Sequence, residues 1–584
     1  MNSNPVIESY GFKKTRCNTF ILQKKEEKIC FCGLPLDRHH PDTIKDLGYS
    51  TIWNYQKHTL DDEITDAYGE LTFNDSEFPT SKYLRIDFRT NIELISEYLF
   101  KEWKLTKPKL LISVTGGAKN FKMKKYIKHE FKKAVIEAAL STNSWFVTGG
   151  TEEGIMKIIG EAYRDLTLRV DKREKLVLLG IANWTTIRNN HLLINKNPCN
   201  VINYKRDDEE FKNHQDYKYI IKDKGAYLDS NHTHFLLVDT AQLNSYGGEI
   251  EFSSKLLDCI CDRDSDDINE IPIVLLVVGG GLNTLKVVQE SCLNGTPCLF
   301  IEIEGSDGVS NILAYAFRII EEKILKFGFD TESENLLDET LKRDIINKCK
   351  NSIGKKNLKI NEIVEAISKI FNETNFNLLN AFAINSNKQN NKIDEAILQA
   401  ILKAQNSNKK FDSLDEGKNL LESQLKLALN WNCIETATKY ILESNLIDVS
   451  QLNEAMYMAI NQDRPEFVQK FLHYGLKLNK YLTYRILLKL YNDILKNSTF
   501  YNLLIRNKYG KYFSIFNRKK SREIYIRFKD VGLVLKELTD NFYNNEYLKI
   551  PYNCLSTKET NRILYQTDEY GQKKEDIEKT LLFF

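Results

Sequence analysis

The sequence shows almost no excess of either charge: 82 Lys and Arg stand against 80 Asp and Glu, leaving +2. It therefore offers no basic field to draw a nucleic acid or an acidic surface. Long apolar runs are also missing. The run "IPIVLLVV" from Ile271 to Val278 is less than half of the ~20 residues that a spanning helix needs, so no membrane crossing is expected. The opening "MNSNPVIESYGFKK" has no basic segment followed by an apolar one, so no secretory leader is expected. The 11 cysteines are odd in number and follow no framework spacing, which suits free thiols in a reducing cytosol. The P-loop spacing is absent, as is a G-x-G-x-x-G at the first glycine turn, which argues against an ATPase or a standard dinucleotide dehydrogenase. With no Ser–His–Asp arrangement in a recognisable context and no carboxylate pair standing out from helix faces, the residues support no catalytic reading.

At 584 residues the chain exceeds what one hydrophobic core serves, and three or four domains are expected. Residues 1–105 show no sustained period and read as an extension packed on the next domain. Short strands apolar on both faces then alternate with amphipathic helices: Leu110 to Thr115, Trp145 to Gly150, Lys175 to Trp184, Thr233 to Asp239, Pro272 to Gly281 and Pro297 to Gly305. This pattern predicts a doubly wound α/β domain over 106–326 with a parallel sheet. Residues 327–496 read as helix pairs. Leu427 to Leu442 aligns with Met458 to Gly475, Ala428 opposite Ala459, at an offset of 31. That is close to the ~33 of ankyrin-type units, so an α-solenoid is expected, with Asp394 to Asn408 as a weaker third copy. The Asn-rich stretch from Asn372 to Lys392 reads as a loose linker, and 497–584 as a further segment with one helix, Asp530 to Phe542.

Four strand ends terminate in small or hydroxylated residues: "VTGGAKN" (Thr115, Gly116, Gly117, Lys119, Asn120), "VTGGTEEG" (Gly149, Gly150, Thr151, Gly154), "VVGGGLNT" (Gly280, Gly281, Thr284) and "IEGSDG" (Gly305, Ser306). In an open parallel sheet the carboxyl ends form one rim. Four such turns predict a crevice where backbone amides, a lysine and hydroxyls meet a phosphate-bearing ligand. "YGGEIEF" adds Tyr246 to stack on a base and Glu249 at the start of a helix. "CFCGLPLDRHH" gathers Cys30, Cys32, His39 and His40, with Cys17 upstream. These are zinc-ligand types, but the spacing is not that of a standard finger, so a locally packed turn is expected in place of a metal. His232 and His234 are expected to fix a turn by hydrogen bonds.

These turns, with "ICFCG", "DEITDAYGELTF", "QLKLALNWNCIETA", "DRPEFVQKFLHYGLKLNKYLTY" and "DVGLVLKEL" in order along nearly the whole chain, strongly resemble the cytosolic N-terminal region of melastatin-type transient receptor potential (TRPM) cation channels. The resemblance implies a SLOG-type Rossmann-like domain followed by an ankyrin-like helical stack. It implies a homo-tetramer assembled through the channel, a place on the cytoplasmic face of a membrane, and an ADP-ribose-like or other nucleotide ligand touching Thr115, Gly116, Gly117, Asn120 and Tyr246. In ADP-ribose-gated members two arginines stand where this chain has Ser253 and Gly308. Arginine forks are strong phosphate partners, so a nucleotide other than ADP-ribose is expected. "GGGLNTLKVVQE" is similar to the GGxGTxxE motif of SLOG-related phosphoribohydrolases, with its glutamate displaced to Glu290; no enzyme is expected. The chain ends at "EDIEKTLLFF", before any pore helices, so it is expected to be a channel fragment or a stand-alone soluble, cytosolic relative that conducts no ions.

Overall fold

The computed structural model describes residues 5–22, 29–46, 53–73, 80–118, 121, 123–141, 144–169, 176–195, 200–205, 225–243, 247–261, 271–327, 336–352, 357–384, 393–408, 414–444, 452–493, 501–504, 526 and 528–538. It falls into two compact units, Met1–Lys410 and Phe411–Phe584.

In the first unit, helix α1 (Pro5–Tyr10) precedes two small sheets, one of β1 (Lys13–Cys17) with β4 (Thr59–Ile64), the other of β2 (Thr19–Ile21) with β3 (Ile44–Asp46). The main sheet has ten strands: β5 (Tyr68–Phe73), β6 (Ser81–Asp87), β7 (Leu110–Gly116), β8 (Ser144–Thr148), β9 (Val177–Asn183), β10 (Ile202–Tyr204), β11 (His234–Asp239), β12 (Ile273–Val278), β13 (Cys298–Ile303) and β14 (Leu379–Ile384). Their order is β10-β5-β6-β11-β9-β8-β7-β12-β13-β14, parallel throughout except between β5 and β6. Alternating side chains explain why the strands are apolar on both faces. On β11, Leu236 and Val238 enter one core with Leu179 and Ile181, while Phe235 and Leu237 enter the opposite one with Tyr83 and Ala182.

Helices α2 (Ile92–Lys101), α3 (Lys125–Ser141), α4 (Gly154–Arg169), α5 (Ile250–Ile260), α6 (Leu282–Leu293) and α7 (Val309–Phe327) connect these strands. Every strand predicted between 110 and 305 is present. Three departures matter. The extension is not appended to the sheet; its β6 pairs with β11 in full register from Lys82–His234 to Asp87–Asp239. The Asn-rich stretch contains β14, which pairs with β13 from Cys298–Leu379 to Ile303–Ile384. There Asn377 and Asn380 sit among the buried Leu378, Leu379 and Ile384, and the apolar positions outweigh composition. Finally, α8 (Glu339–Ser352) and α9 (Asn357–Glu373) pack on α6 and α7, and α10 (Ile393–Asn408) packs on α3 and β14. All three belong to the first unit, so α10 is not a third helical copy.

The second unit contains α11 (Leu414–Asn430), α12 (Ile434–Tyr440), α13 (Leu452–Asn461), α14 (Pro465–His473), α15 (Leu478–Tyr481), α16 (Tyr484–Asp493) and α17 (Phe528–Leu538). Two helix–turn–helix repeats share the same turn geometry. Cys433 N–H donates to Ala428 at 3.0 Å and Arg464 N–H to Ala459 at 2.8 Å, each across a left-handed residue at φ 56°, Asn432 and Asp463. Both alanines are fully buried, and within this second unit Gln462 donates from one repeat to Asn430 of the other at 2.9 Å. Among the described residues, no helix is long and apolar enough to cross a membrane.

Candidate functional site

A cleft of about 470 Å³ opens at the carboxyl rim of the sheet. β7 supplies Ser113, Thr115 and Gly116; the turn after β8 supplies Gly149, Thr151 and Glu153; α5 supplies Ser253, with Glu249 just before its first residue; and α6 supplies Asn283, Thr284 and Glu290. Three of the four glycine turns therefore face one space. The fourth does not: Gly305 lies against the Lys124 side chain, and Ser306 donates to the Ile303 carbonyl at 3.1 Å.

The glycines mostly serve packing of turn on turn. A β-carbon on Gly116 would stand 1.9 Å from the Val278 carbonyl oxygen, and one on Gly154 1.8 Å from that of Gly117. Gly150 (φ +66°) abuts Gly180, and Gly280 (φ +91°) abuts Thr284, whose hydroxyl oxygen accepts from Gly281 N–H at 3.3 Å. The Phe121 ring fills the space between Gly117 and Gly279. Consequently Gly117, Gly150, Gly154, Gly280 and Gly281 shape the rim without lining the cleft. Lys119, Asn120 and Tyr246 lie outside the described residues.

Polar side chains are fixed from below. Asn183, buried at the end of β9, accepts from Thr185 N–H at 3.0 Å and donates to Thr240 and Glu249, both at 3.3 Å. Glu249 also accepts from Gly247 N–H at 3.0 Å, and burial holds its carboxyl above the usual carboxylate range. The carboxylate of Asp229 can only accept, so His232 Nδ1 donates to it at 2.8 Å. Its Nε2 then accepts from the Thr148 hydroxyl at 2.8 Å, and that oxygen accepts from Gly150 N–H at 2.9 Å. His232 thus straps the second turn, as expected. His234 does not join it; it bonds Thr233 and lies against Trp103.

Asn183 was not legible in advance, because "GIANW" carries no turn signal. Glu153, Asn283, Ser254 and Ser291 also line the cleft, but Glu153 sits in an ordinary polar turn and the other three on helical faces of ordinary polarity. Ser253 does face the cleft, whereas Gly308 is wedged against Gly279, where a β-carbon would lie 2.6 Å from its carbonyl carbon. The lining includes Glu153, Glu249 and Glu290, and no Lys or Arg among the described residues.

Away from the cleft, Cys17, Cys30, Cys32 and His39 converge. His40 instead pairs with Asp42 at the surface.

Comparison with known proteins agrees with this architecture. The family described as SLOG in TRPM matches residues 81–370, and that described as TRPM2-like domain matches 442–581. Transient receptor potential cation channel subfamily M member 2 of Mus musculus is 32% identical over 516 residues, covering 85% of this chain and 31% of the relative. The subfamily M member-like 2 protein of Nematostella vectensis is 30% identical over 92% of this chain and 32% of the relative, and subfamily M member 7 of Mus musculus 27% over 92% and 27%. The chain spans about a third of the length of the curated relatives it matches first. The two family matches and the ordered likeness over most of the chain give one conclusion: it belongs to the TRPM family and corresponds to the N-terminal region of those channels.

Proposed function

We propose that this chain is a ligand-sensing and assembly region of a TRPM-like cation channel, acting on the cytoplasmic side, and that its cleft takes a nucleotide-type ligand without turning it over. The observation that supports the reading is the 470 Å³ cleft shared by three strand-end turns and the start of α5. Glu249, oriented by Asn183, offers an acceptor for a ribose diol, and the hydroxyls of Thr115, Thr151, Ser253 and Thr284 offer donors for phosphate oxygens. With three carboxylates and no cation in the described lining, the cleft has no arginine fork for the pyrophosphate of ADP-ribose, so a nucleotide other than ADP-ribose suits it better. The repeated helix–turn–helix units of the second unit suit an ankyrin-like stack that supports a homo-tetramer.

Calorimetric titration of the chain with AMP, ADP, ADP-ribose and NAD tests the site, with Thr284→Trp as the blocked variant. Heat lost in that variant supports sensing. No heat with any nucleotide leaves the assembly role, which light scattering reads as a tetramer or a monomer. A second reading has one observation in its favour, Glu290 on the cleft wall. Free base released from the same nucleotides would make the region a hydrolase.

A further inference from the structure

The first unit begins with a module that has little to hold it together. Around β1 and β2 the buried apolar cluster consists of Cys17, Phe20, Ile21, Cys30 and Trp53; two of these five are thiols. Without them three buried side chains remain, with Leu22 and Phe31 partly buried against them, too few for an independent core. Yet the module keeps four potential donor atoms together: the Sγ atoms of Cys17, Cys30 and Cys32 and a ring nitrogen of His39 all lie within 4.8 Å of one another.

We infer that Cys17, Cys30, Cys32 and His39 form a structural zinc site that anchors this module to the sheet domain. The spacing matches: a tetrahedral ion with Zn–S bonds of about 2.3 Å sets its sulfurs about 3.8 Å apart. Cys17 and Cys30 Sγ are 3.8 Å apart, and Cys32 Sγ is 3.2 Å from His39 Nε2. A disulfide needs about 2.05 Å, so the thiols are not paired with one another. His39 Nδ1 lies 2.8 Å from the Pro35 carbonyl. A carbonyl only accepts, so Nδ1 carries the proton and the Nε2 lone pair faces the sulfurs, which is the outer-shell arrangement of a metal-binding histidine. Ile21 N–H donates to Cys30 Sγ at 3.4 Å, which favours the thiolate. Gly33 N–H closes the knuckle on the Cys30 carbonyl at 2.9 Å, with Gly33 at φ +88°. A locally packed turn would require none of this convergence. Binding exchanges the three thiol protons for one Zn²⁺, and because no such site exists in the unfolded chain the binding energy becomes folding energy.

The knuckle also reaches the sheet domain. Leu243 N–H donates to the Phe31 carbonyl at 3.0 Å, and the neighbouring Gln242 carbonyl accepts from Thr185 at 2.7 Å. Thr185 is itself bonded to Asn183 in the cleft wall. The loop following β11 is thus braced on the side of the zinc knuckle.

The test is the metal content of the full chain, expressed with a non-histidine tag and purified without chelator. One zinc per chain is expected by mass spectrometry, unchanged in His40→Ala and lost in Cys30→Ser. Because Cys30→Ser can fail to fold, zinc is also exchanged for Co²⁺ under reducing conditions. The wild type should show the thiolate charge-transfer and visible bands of tetrahedral cobalt, and His39→Cys should keep the metal while shifting these bands to those of four thiolates. A chain with under roughly a tenth of a zinc and no tetrahedral cobalt spectrum overturns the site. So does an octahedral spectrum, or zinc retained when Cys30 and Cys32 are both serine.

Discussion

Gly154 stands so close to Gly117 that a β-carbon on it would lie 1.8 Å from the Gly117 carbonyl oxygen. That oxygen already accepts from Ile155 N–H at 2.9 Å, and Gly154 is at φ +52°. The turns after β7 and β8 are thus locked by one glycine contact. Gly154→Ala is expected to lower stability by roughly 2–4 kcal/mol, since neither backbone can give way cheaply. Gly281→Ala is the control: nothing lies within 4 Å of its β-carbon position. Thermal unfolding should separate the two by several degrees.

Ser253 and Gly308 occupy the positions where the family resemblance implies arginines, but their surroundings differ. Ser253 lines the cleft; Gly308 has φ +138° and touches Gly279 and Gly280. Ser253→Arg should raise affinity for a phosphate ligand roughly tenfold to a hundredfold in the calorimeter, as one charge-assisted fork does. Gly308→Arg should instead destabilise the fold with no gain in binding.

Arg85 joins β6 to β11 by donating its Nε to Asp239 at 2.9 Å, beneath the Trp184 ring at 4.2 Å. Asp239 is 1% exposed, so removing its partner leaves a buried charge. Arg85→Ala should cost about 3–5 kcal/mol in denaturant unfolding. The Arg85→Ala, Asp239→Asn double variant should recover part of that.

His234 is pushed down to about 3, chiefly by burial and secondarily by Lys82. In the unfolded chain it titrates near its ordinary value of about 6.5. As pH falls through this window the unfolded chain takes up a proton that the folded one refuses, so stability is lost between about pH 6.5 and 3, at no more than ~1.4 kcal/mol per pH unit. His234→Phe should flatten the slope of stability against pH in that range and leave stability at pH 8 nearly unchanged.

Asn432 and Asp463 hold the same left-handed conformation, φ 56°, 31 positions apart. Glycine adopts it without strain, whereas a β-branched side chain resists it. Asp463→Gly should stabilise the second unit by up to about 1 kcal/mol and Asp463→Val should destabilise it by at least that much, read by chemical unfolding. The equivalent pair at Asn432 should behave alike.

The six central strands were legible because Val, Ile and Leu dominate both faces, as in "IPIVLLVV" and "THFLLVD", and the repeat was legible because Ala428 and Ala459 are buried at matching turns. The outer strands were not. β6 reads "SKYLRID", a half-polar pattern in which Arg85 finds Asp66 and Asp239 only through long-range ion pairs and Asp87 pairs with nearby Arg89 while accepting from distant Thr15, and β14 lies in an asparagine-rich context. At the site, three of the four glycine turns face one space, yet local sequence could not distinguish a glycine that leaves room for a ligand from one that leaves room for the next turn. Cys17 lies thirteen residues before Cys30, so a local motif did not reveal that it completes the thiol cluster.

The pairing of β14 with β13 sets a practical limit on how far this domain can be shortened. The SLOG match ends at 370, but a chain cut there would strip Cys298–Ile303 of the neighbour that satisfies its outer amides and carbonyls. Such a piece would present an unprotected apolar edge, inviting strand-to-strand association between molecules. A stand-alone version of the domain must extend past Ile384 and, because α10 packs on β14, through Asn408.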